Sequence, residues 1–217
     1  FSLGLELFRP ADGRMLNALI RMPNKVERFV RLPDLAETGA SRFIDPKGSP
    51  WSLSSLPSYH TEGRVYAEHV LKTQPNATIA ILFQNDDYGR DFVKGFKEGL
   101  GSQTGRIVAE AGYEATDPTV DSQLIALQSG NFDALILGVT GKFGAMGIRR
   151  VSELGWKPTQ FIDNPAASIG VVMRPAGIEA SKGIISAAFV KDPTDPKLKD
   201  DPEFQTWVAW MKKYYPA

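Results

Sequence analysis

Between Ala77 and Asn164, apolar runs of strand length alternate with segments whose apolar residues recur every three or four positions. "ATIAILF" (77–83) is unbroken, the pattern of a strand covered on both faces by other layers. A helix is predicted over "RDFVKGFKEGLG" (90–101), with Phe92, Val93 and Phe96 turned inward. "GRIVAEAGY" (105–113) follows as a strand, and "DPTVDSQLIALQS" as a helix with Asp117 as cap and Pro118 at the first helical position. "DALILGV" is a third strand, and "FGAMGIRRVSELG" a helix stopped by Gly155. "TQFIDN" (159–164) and "GIISAAFV" (183–190) complete a set of five strands. Upstream, Thr61 and Glu62 open a helix carrying Val65, Tyr66, Val70 and Leu71 on one face and stopping before Pro75. "DPEFQTWVAWMKKYYP" closes the chain as another helix with an Asp-Pro start. Such alternation predicts an α/β fold, a parallel sheet flanked by helices.

Residues 1–37 follow no such order. Met15, Leu19 and Met22, then Val26, Phe29 and Val30, have helical spacing, but Pro23 interrupts it. "TGASRFIDPKGSPW" (38–51) is a loop of turn residues. The chain opens on Phe1 and ends directly after an aromatic-rich helix, so a fragment or a processed chain is expected.

Charge and composition narrow the chemistry. Lys plus Arg equals Asp plus Glu at 25 each, a balance that creates no field to attract nucleic acid or an acidic membrane surface. No apolar run approaches the ~20 residues of a bilayer span. Absence of cysteine excludes disulfides, thiolate metal sites and a cysteine nucleophile. The two histidines are His60 and His69, the latter expected on the surface of the first long helix. Asp117 and Asp121 suit a helix start rather than an acid/base pair. Asp86 and Asp87 follow a strand, where α/β folds bind ligands, yet a third oxygen ligand for Mg²⁺ is not identifiable, so no metal is expected. With no candidate for an activated nucleophile, binding is favoured over catalysis.

One stretch offers an alternative. "GVTGKFG" (138–144) matches G-x-x-G-x-x-G after a strand, and Asp163 stands ~20 residues on, where an acidic residue reaches the ribose of a dinucleotide. A nicotinamide-dependent oxidoreductase is the reading this supports. Against it, two strand–helix units precede the glycines, and no Tyr-x-x-x-Lys pair occurs in the chain. Gly144 and Gly147 also suit a helix packed closely on the sheet. No cofactor is therefore expected.

Three segments, "IAILFQNDDYGRDFVKGFKEGLG", "YEATDPTVDSQLIALQSGNFDALIL" and "SKGIISAAF.KDPTDP", resemble in this order the substrate-binding proteins of bacterial ABC importers. The family is that of the branched-chain amino acid (Leu/Ile/Val) binders, the type I periplasmic binding proteins. "TGASRF" and "PSYHTEGRVYA" resemble the end of its first lobe and its first crossover. The resemblance implies two α/β lobes closing on a small ligand, with residues 62–185 as lobe II and 1–45 a remnant of lobe I with an atypical start. Residues 46–61 would then be a crossover, and 186–217 the returning crossover with the C-terminal helix. It further implies a non-catalytic periplasmic receptor partnered by ABC permease subunits, or a sensing domain of the same fold on a signalling protein.

Carried over by motif, the ligand-binding residues would be Tyr88 as an aromatic wall and Thr140, Gly141 and Phe143 as the cleft floor. Thr38, Gly39 and Ala40 would be donors to a ligand carboxylate, Tyr59 would sit in the crossover, and Asn164 would follow the fourth strand. Amino-acid binders of the family carry a carboxylate near that point for the ligand's ammonium, and here Pro165 stands in its place. The implied ligand is a small carboxylate, an aromatic or short-chain organic acid or an amino acid, with the acids favoured because an unpaired ammonium in a dry cleft costs several kcal/mol.

Overall fold

The structure is a computed structural model describing residues 4–8, 17–21, 27–31, 38–45, 47, 54, 56–189, 191 and 195–215, the first three segments as backbone. The chain divides into two compact units, Phe1–Ala187 and Ala188–Ala217. Among the described residues no helix is long and apolar enough to cross a membrane.

In the first unit, strands β1 (Gly4–Phe8), β2 (Asn17–Arg21) and β3 (Glu27–Arg31) form an antiparallel sheet in the order β1-β2-β3. The helical spacing noted over this stretch gives way to strands. Leu5 pairs with Ile20, and Leu19 with Phe29, in adjacent rows of the ladder. Met15, Met22, Pro23 and Val26 lie outside the described residues.

The second sheet has the order β5-β4-β6-β7, all parallel, from β4 (Ile79–Gln84), β5 (Ile107–Tyr113), β6 (Ala134–Gly138) and β7 (Thr159–Ile162). β4 and β6 are central and buried along nearly their whole length, as their unbroken apolar runs require. Helices α1 (Tyr59–Thr73) and α2 (Asp87–Leu100) share one face, where Tyr66, Val70, Phe92 and Phe96 pack on Ile79, Ile81, Ile136 and Phe161. On the other face α3 (Asp121–Gln128) and α4 (Gly141–Glu153) bring Leu124, Leu127, Ile148 and Val151 onto Ala80, Leu82, Leu135 and Leu137. Alternate residues of each central strand thus feed two separate cores, each fully buried large side chain contributing about 1.5–3 kcal/mol.

α1 and α2 approach closely because glycines stand where they cross. A Cβ on Gly63 would run into the Phe92 carbonyl oxygen, and one on Gly95 into that of His60. α1 starts at Tyr59, earlier than Thr61, because the Ser58 side chain accepts the Thr61 N–H at 3.0 Å. Val65, assigned to its inner face, is exposed.

α3 begins at Asp121, not at Asp117-Pro118. Asp117 instead closes a turn, its Oδ2 accepting the Glu114 N–H at 2.9 Å. α4 starts at Gly141, two residues before the expected Phe143. The expected fifth strand shrinks to a single parallel bridge, Ile185 to Phe161. Its ladder stops because the next inward amide, of Ala187, donates to the Tyr66 hydroxyl at 2.7 Å instead of to a strand. A short helix α5 (Arg174–Ala176) lies between β7 and this bridge.

The second unit holds α6 (Pro202–Tyr214), capped as its Asp-Pro start predicts, with Asp201 Oδ1 accepting the Phe204 N–H at 2.8 Å. Lys191 pairs with Asp201 at 2.7 Å and with Glu203 at 3.0 Å.

Candidate functional site

All four parallel strands end at one edge, and the residues following them form a connected polar cluster. After β4 come Asn85, Asp86 and Tyr88; β5 ends on Tyr113; after β6 come Val139 and Thr140; after β7 come Asp163 and Asn164. Gln84, the last residue of β4, is the centre of one half. Its Oε1 accepts from the Tyr113 hydroxyl at 3.2 Å and from Thr140 Oγ1 at 3.0 Å, while its Nε2 donates to Asp86 Oδ2 at 2.5 Å. The Tyr113 oxygen in turn receives the Thr140 N–H at 3.1 Å. Burial pushes the Tyr113 phenol up to about 12.

Asp163 is the centre of the other half. It is fully buried, an unusual state for a carboxylate, and both oxygens are engaged. Oδ1 accepts the Val139 N–H at 3.3 Å, and Oδ2 accepts the Tyr88 hydroxyl. Burial raises the Asp163 carboxyl well above its ordinary value; the Tyr88 bond opposes this and the nearby Glu62 charge adds to it. The Tyr88 phenol is likewise raised, by burial first and the Asp163 charge second.

Tyr88 and Thr140 therefore share the strand-end edge, as the sequence predicts. Tyr88 itself is 8% exposed, its ring edge-on to Tyr59 at 4.7 Å between centroids. Tyr59 is the first residue of α1, half-buried. Gly141 starts α4, beneath Val171 and Val172. Phe143 lies in the core, packed on Tyr113 with centroids 4.3 Å apart, rather than in an open floor. Asn164 is half-buried; its N–H donates to Glu62 Oε1 at 2.6 Å and its Nδ2 to the Ala187 carbonyl at 3.1 Å.

Of the proposed donors at Thr38–Ala40, the Ala40 amide has a local partner. Ala40 N–H meets Thr38 Oγ1 at 3.2 Å, and the following Ser41 N–H meets Asp91 Oδ2 at 2.5 Å. Gly39 abuts Pro57 and Tyr59, to which its carbonyl is bonded at 3.0 Å, leaving no room for a Cβ. Asp86 and Asp87, considered as a metal pair, have separate partners: Asp86 caps α2 through Gly89, and Asp87 pairs with Arg42 at 2.6 Å.

The glycines of 138–144 serve internal packing. The ring of Phe92 lies over Gly138, and Ala166 and Val172 lie against Gly144 at 3.0 and 3.2 Å from where a Cβ would stand. Gly147 is buried, with no atom within 4 Å of where a Cβ would stand, so close packing does not require a glycine there. Sequence reasoning also missed Gln84, Tyr113, Glu62 and the full burial of Asp163. A polar residue ending an apolar strand run was the available signal for Gln84 and Asp163.

A family model described as periplasmic binding protein matches residues 18–217. The chain belongs to the periplasmic binding protein family. Among solved structures it is similar to Rp1789 of Rhodopseudomonas palustris (strain CGA009), with 27% identity, a TM-score of 0.64, and coverage of 80% of this chain and 49% of that one. An extracellular ligand-binding receptor from Rhodopseudomonas palustris HaA2 is 26% identical, with a TM-score of 0.65 over 80% of this chain and 49% of that one. A branched-chain amino acid ABC transporter protein from Thermus thermophilus with bound valine shares the fold, at 16% identity and a TM-score of 0.68 over 82% of this chain and 45% of that one. The chain thus spans about half the length of these proteins. Its four-stranded parallel sheet with flanking helices is the lobe architecture they share.

Proposed function

We propose that the full-length protein is an extracytoplasmic solute receptor of an ABC importer, binding a small carboxylate at the strand-end edge of this α/β lobe. Residues 62–185 act as the second lobe, 46–61 and the segment from 186 as crossovers, and 1–45 as part of the first lobe. Ligand bridges the lobes and stabilises the closed form by its greater affinity for it. Permease subunits are the partner that such a receptor serves.

The observation that carries the ligand class is Asp163. It is the carboxylate nearest the end of β7, yet it is fully buried with both oxygens occupied, and Asn164 and Pro165 beyond it are uncharged. A ligand ammonium would find no free anion there. The Tyr59–Tyr88 pair offers aromatic surface for an apolar or aromatic body, with the ligand carboxylate toward Thr38–Ala40. Thr140, Gly141 and Asn164 border the same edge, and Phe143 supports it from within the core.

Calorimetry on the full-length protein with leucine beside a benzoate-type acid tests this. The acid is expected to bind and leucine to bind at least about a hundredfold more weakly, a few kcal/mol of unpaired charge. Micromolar leucine binding would overturn the ligand class while leaving the family intact.

A further inference from the structure

The segment that follows Thr38 is held to α2 by two acidic side chains one helical turn apart. Asp91 Oδ2 accepts the Ser41 N–H at 2.5 Å, and Asp87 pairs with Arg42 at 2.6 Å. Asp91 stands three positions after Tyr88, so neighbouring points of one helix carry the aromatic wall of the proposed site and the acceptor for this segment. On its other side the segment is tied to the start of α1, where the Gly39 carbonyl accepts the Tyr59 N–H at 3.0 Å. We propose that Asp91 is a positioning residue of the binding edge. It clasps Thr38–Ala40 to α2, so that the donors for a ligand carboxylate and the Tyr88 ring are held at a fixed spacing, with Tyr59 between them, before ligand arrives.

The helix itself has no use for Asp91. α2 is capped by Asp86 through the Gly89 N–H at 3.1 Å, and Asp87 lies in the first turn, where negative charge suits the unpaired N–H groups. Asp91 comes a turn later, where aspartate is a poor helix former. It is half-buried, and among the described residues it pairs with no cation. Its partner is the Ser41 amide, which opens a short turn of 3-10 helix, Ser41–Phe43. The first N–H groups of a helical turn have no acceptor inside it, and Ala40, at the cap, has no side-chain acceptor to give. Asp91 therefore meets a need that the segment cannot meet from its own residues.

Of the two contacts, the Asp91 bond governs. The Arg42 and Asp87 side chains are 66% and 55% exposed, and so open a pair is screened and contributes little. The bond from Ser41 to Asp91 is part-buried, and a carboxylate accepting an amide N–H makes a bond roughly twice as strong as a neutral pair. A donor segment ordered in advance spares the ligand the cost of ordering it. If only about a tenth of the molecules held the segment in place, the apparent Kd would rise about tenfold.

The inference rests on the receptor reading for the role of Thr38–Ala40, and one arm of its test needs no ligand. The 217-residue chain has no cysteine, so spin labels on cysteines introduced at the exposed Ile44 and Lys94 report the distance from the segment to α2 alone. That distance should be single and narrow. Asp91→Ala should make it longer and broader, whereas Asp91→Asn, whose Oδ1 still accepts the amide, and Asp87→Asn should leave it narrow. Hydrogen exchange at Ile81 and Leu135 of the central strands should stay as it is in all three, which separates positioning from loss of the fold. In the full-length protein, calorimetry with benzoate should show about tenfold weaker binding in Asp91→Ala and less than about threefold in Asp91→Asn. An unchanged distance or unchanged benzoate affinity in Asp91→Ala, or an Asp87→Asn that frees the segment equally, would overturn the clasp. If the unsubstituted full-length protein does not bind benzoate, the ligand class falls, and the label distances alone decide the clasp.

Discussion

Replacing Tyr88 with Phe removes one oxygen and keeps the ring that packs on Tyr59, so its effect isolates the bond to Asp163. Asp163 would be left fully buried with Oδ2 unpartnered and only the Val139 N–H at 3.3 Å on Oδ1. A hydrogen bond to an ionised acceptor contributes about 1.5–3 kcal/mol, against about 1 kcal/mol for a neutral pair. The loss should therefore be larger where Asp163 is charged. The folded-state value of Asp163 is raised above 3.8, so this group's contribution is fully present below 3.8 and is lost as pH rises through the folded value. Removing the Tyr88 bond, which acts to lower that value, raises it further. Urea unfolding of wild type and Tyr88→Phe at about pH 4 and at a pH above the raised Asp163 value should give a deficit near 1 kcal/mol at the acid end and about 2–3 kcal/mol at the alkaline end. An equal deficit at both pH values, or none, would refute the reasoning that burial and the Tyr88 hydroxyl together govern this carboxylate.

Two further variants probe the support of the edge. Gly95→Ala drives a methyl group into the His60 carbonyl and must separate α1 from α2; a cost of about 3 kcal/mol and a Tm fall of roughly 6–12 °C are expected by thermal unfolding. Tyr113→Phe frees the Thr140 N–H and one donor to Gln84; urea unfolding should report about 1–2 kcal/mol, and the absorbance step at about 12 in alkaline titration should vanish.

The central strands and α2 were legible because their burial is nearly complete and so leaves an unbroken or strictly periodic apolar text. The capping Asp-Pro of α6 was legible for a local reason, a side chain bonding its own first turn. The same dipeptide at Asp117 misled, because its carboxylate found a backbone partner in the preceding turn. The fifth strand failed for a tertiary reason: a tyrosine hydroxyl from a helix 121 residues away in sequence takes the amide that would extend the ladder. At the edge, sequence spacing brought Tyr88 and Thr140 together correctly but could not tell a residue lining a surface from one buried beneath it. Phe143 and Asp163 both lie beneath, and only their neighbours at Tyr113 and Val139 reveal it.

The Tyr88–Asp163 bond joins residues 75 positions apart. A ribosome adding about 5–20 residues per second needs roughly 4–15 s to make that length of chain. Throughout that interval Tyr88 exists without the residue that supplies its acceptor, and the Val139 amide, once made, waits over the last 24 residues. The apolar texts of β4 and β6 are then exposed on a nascent chain whose parallel partners must come from far along the message. Synthesis speed between Tyr88 and Asp163 thus sets how long the polypeptide stays sticky, and slow translation of this span is where recruitment of a holdase chaperone would matter most.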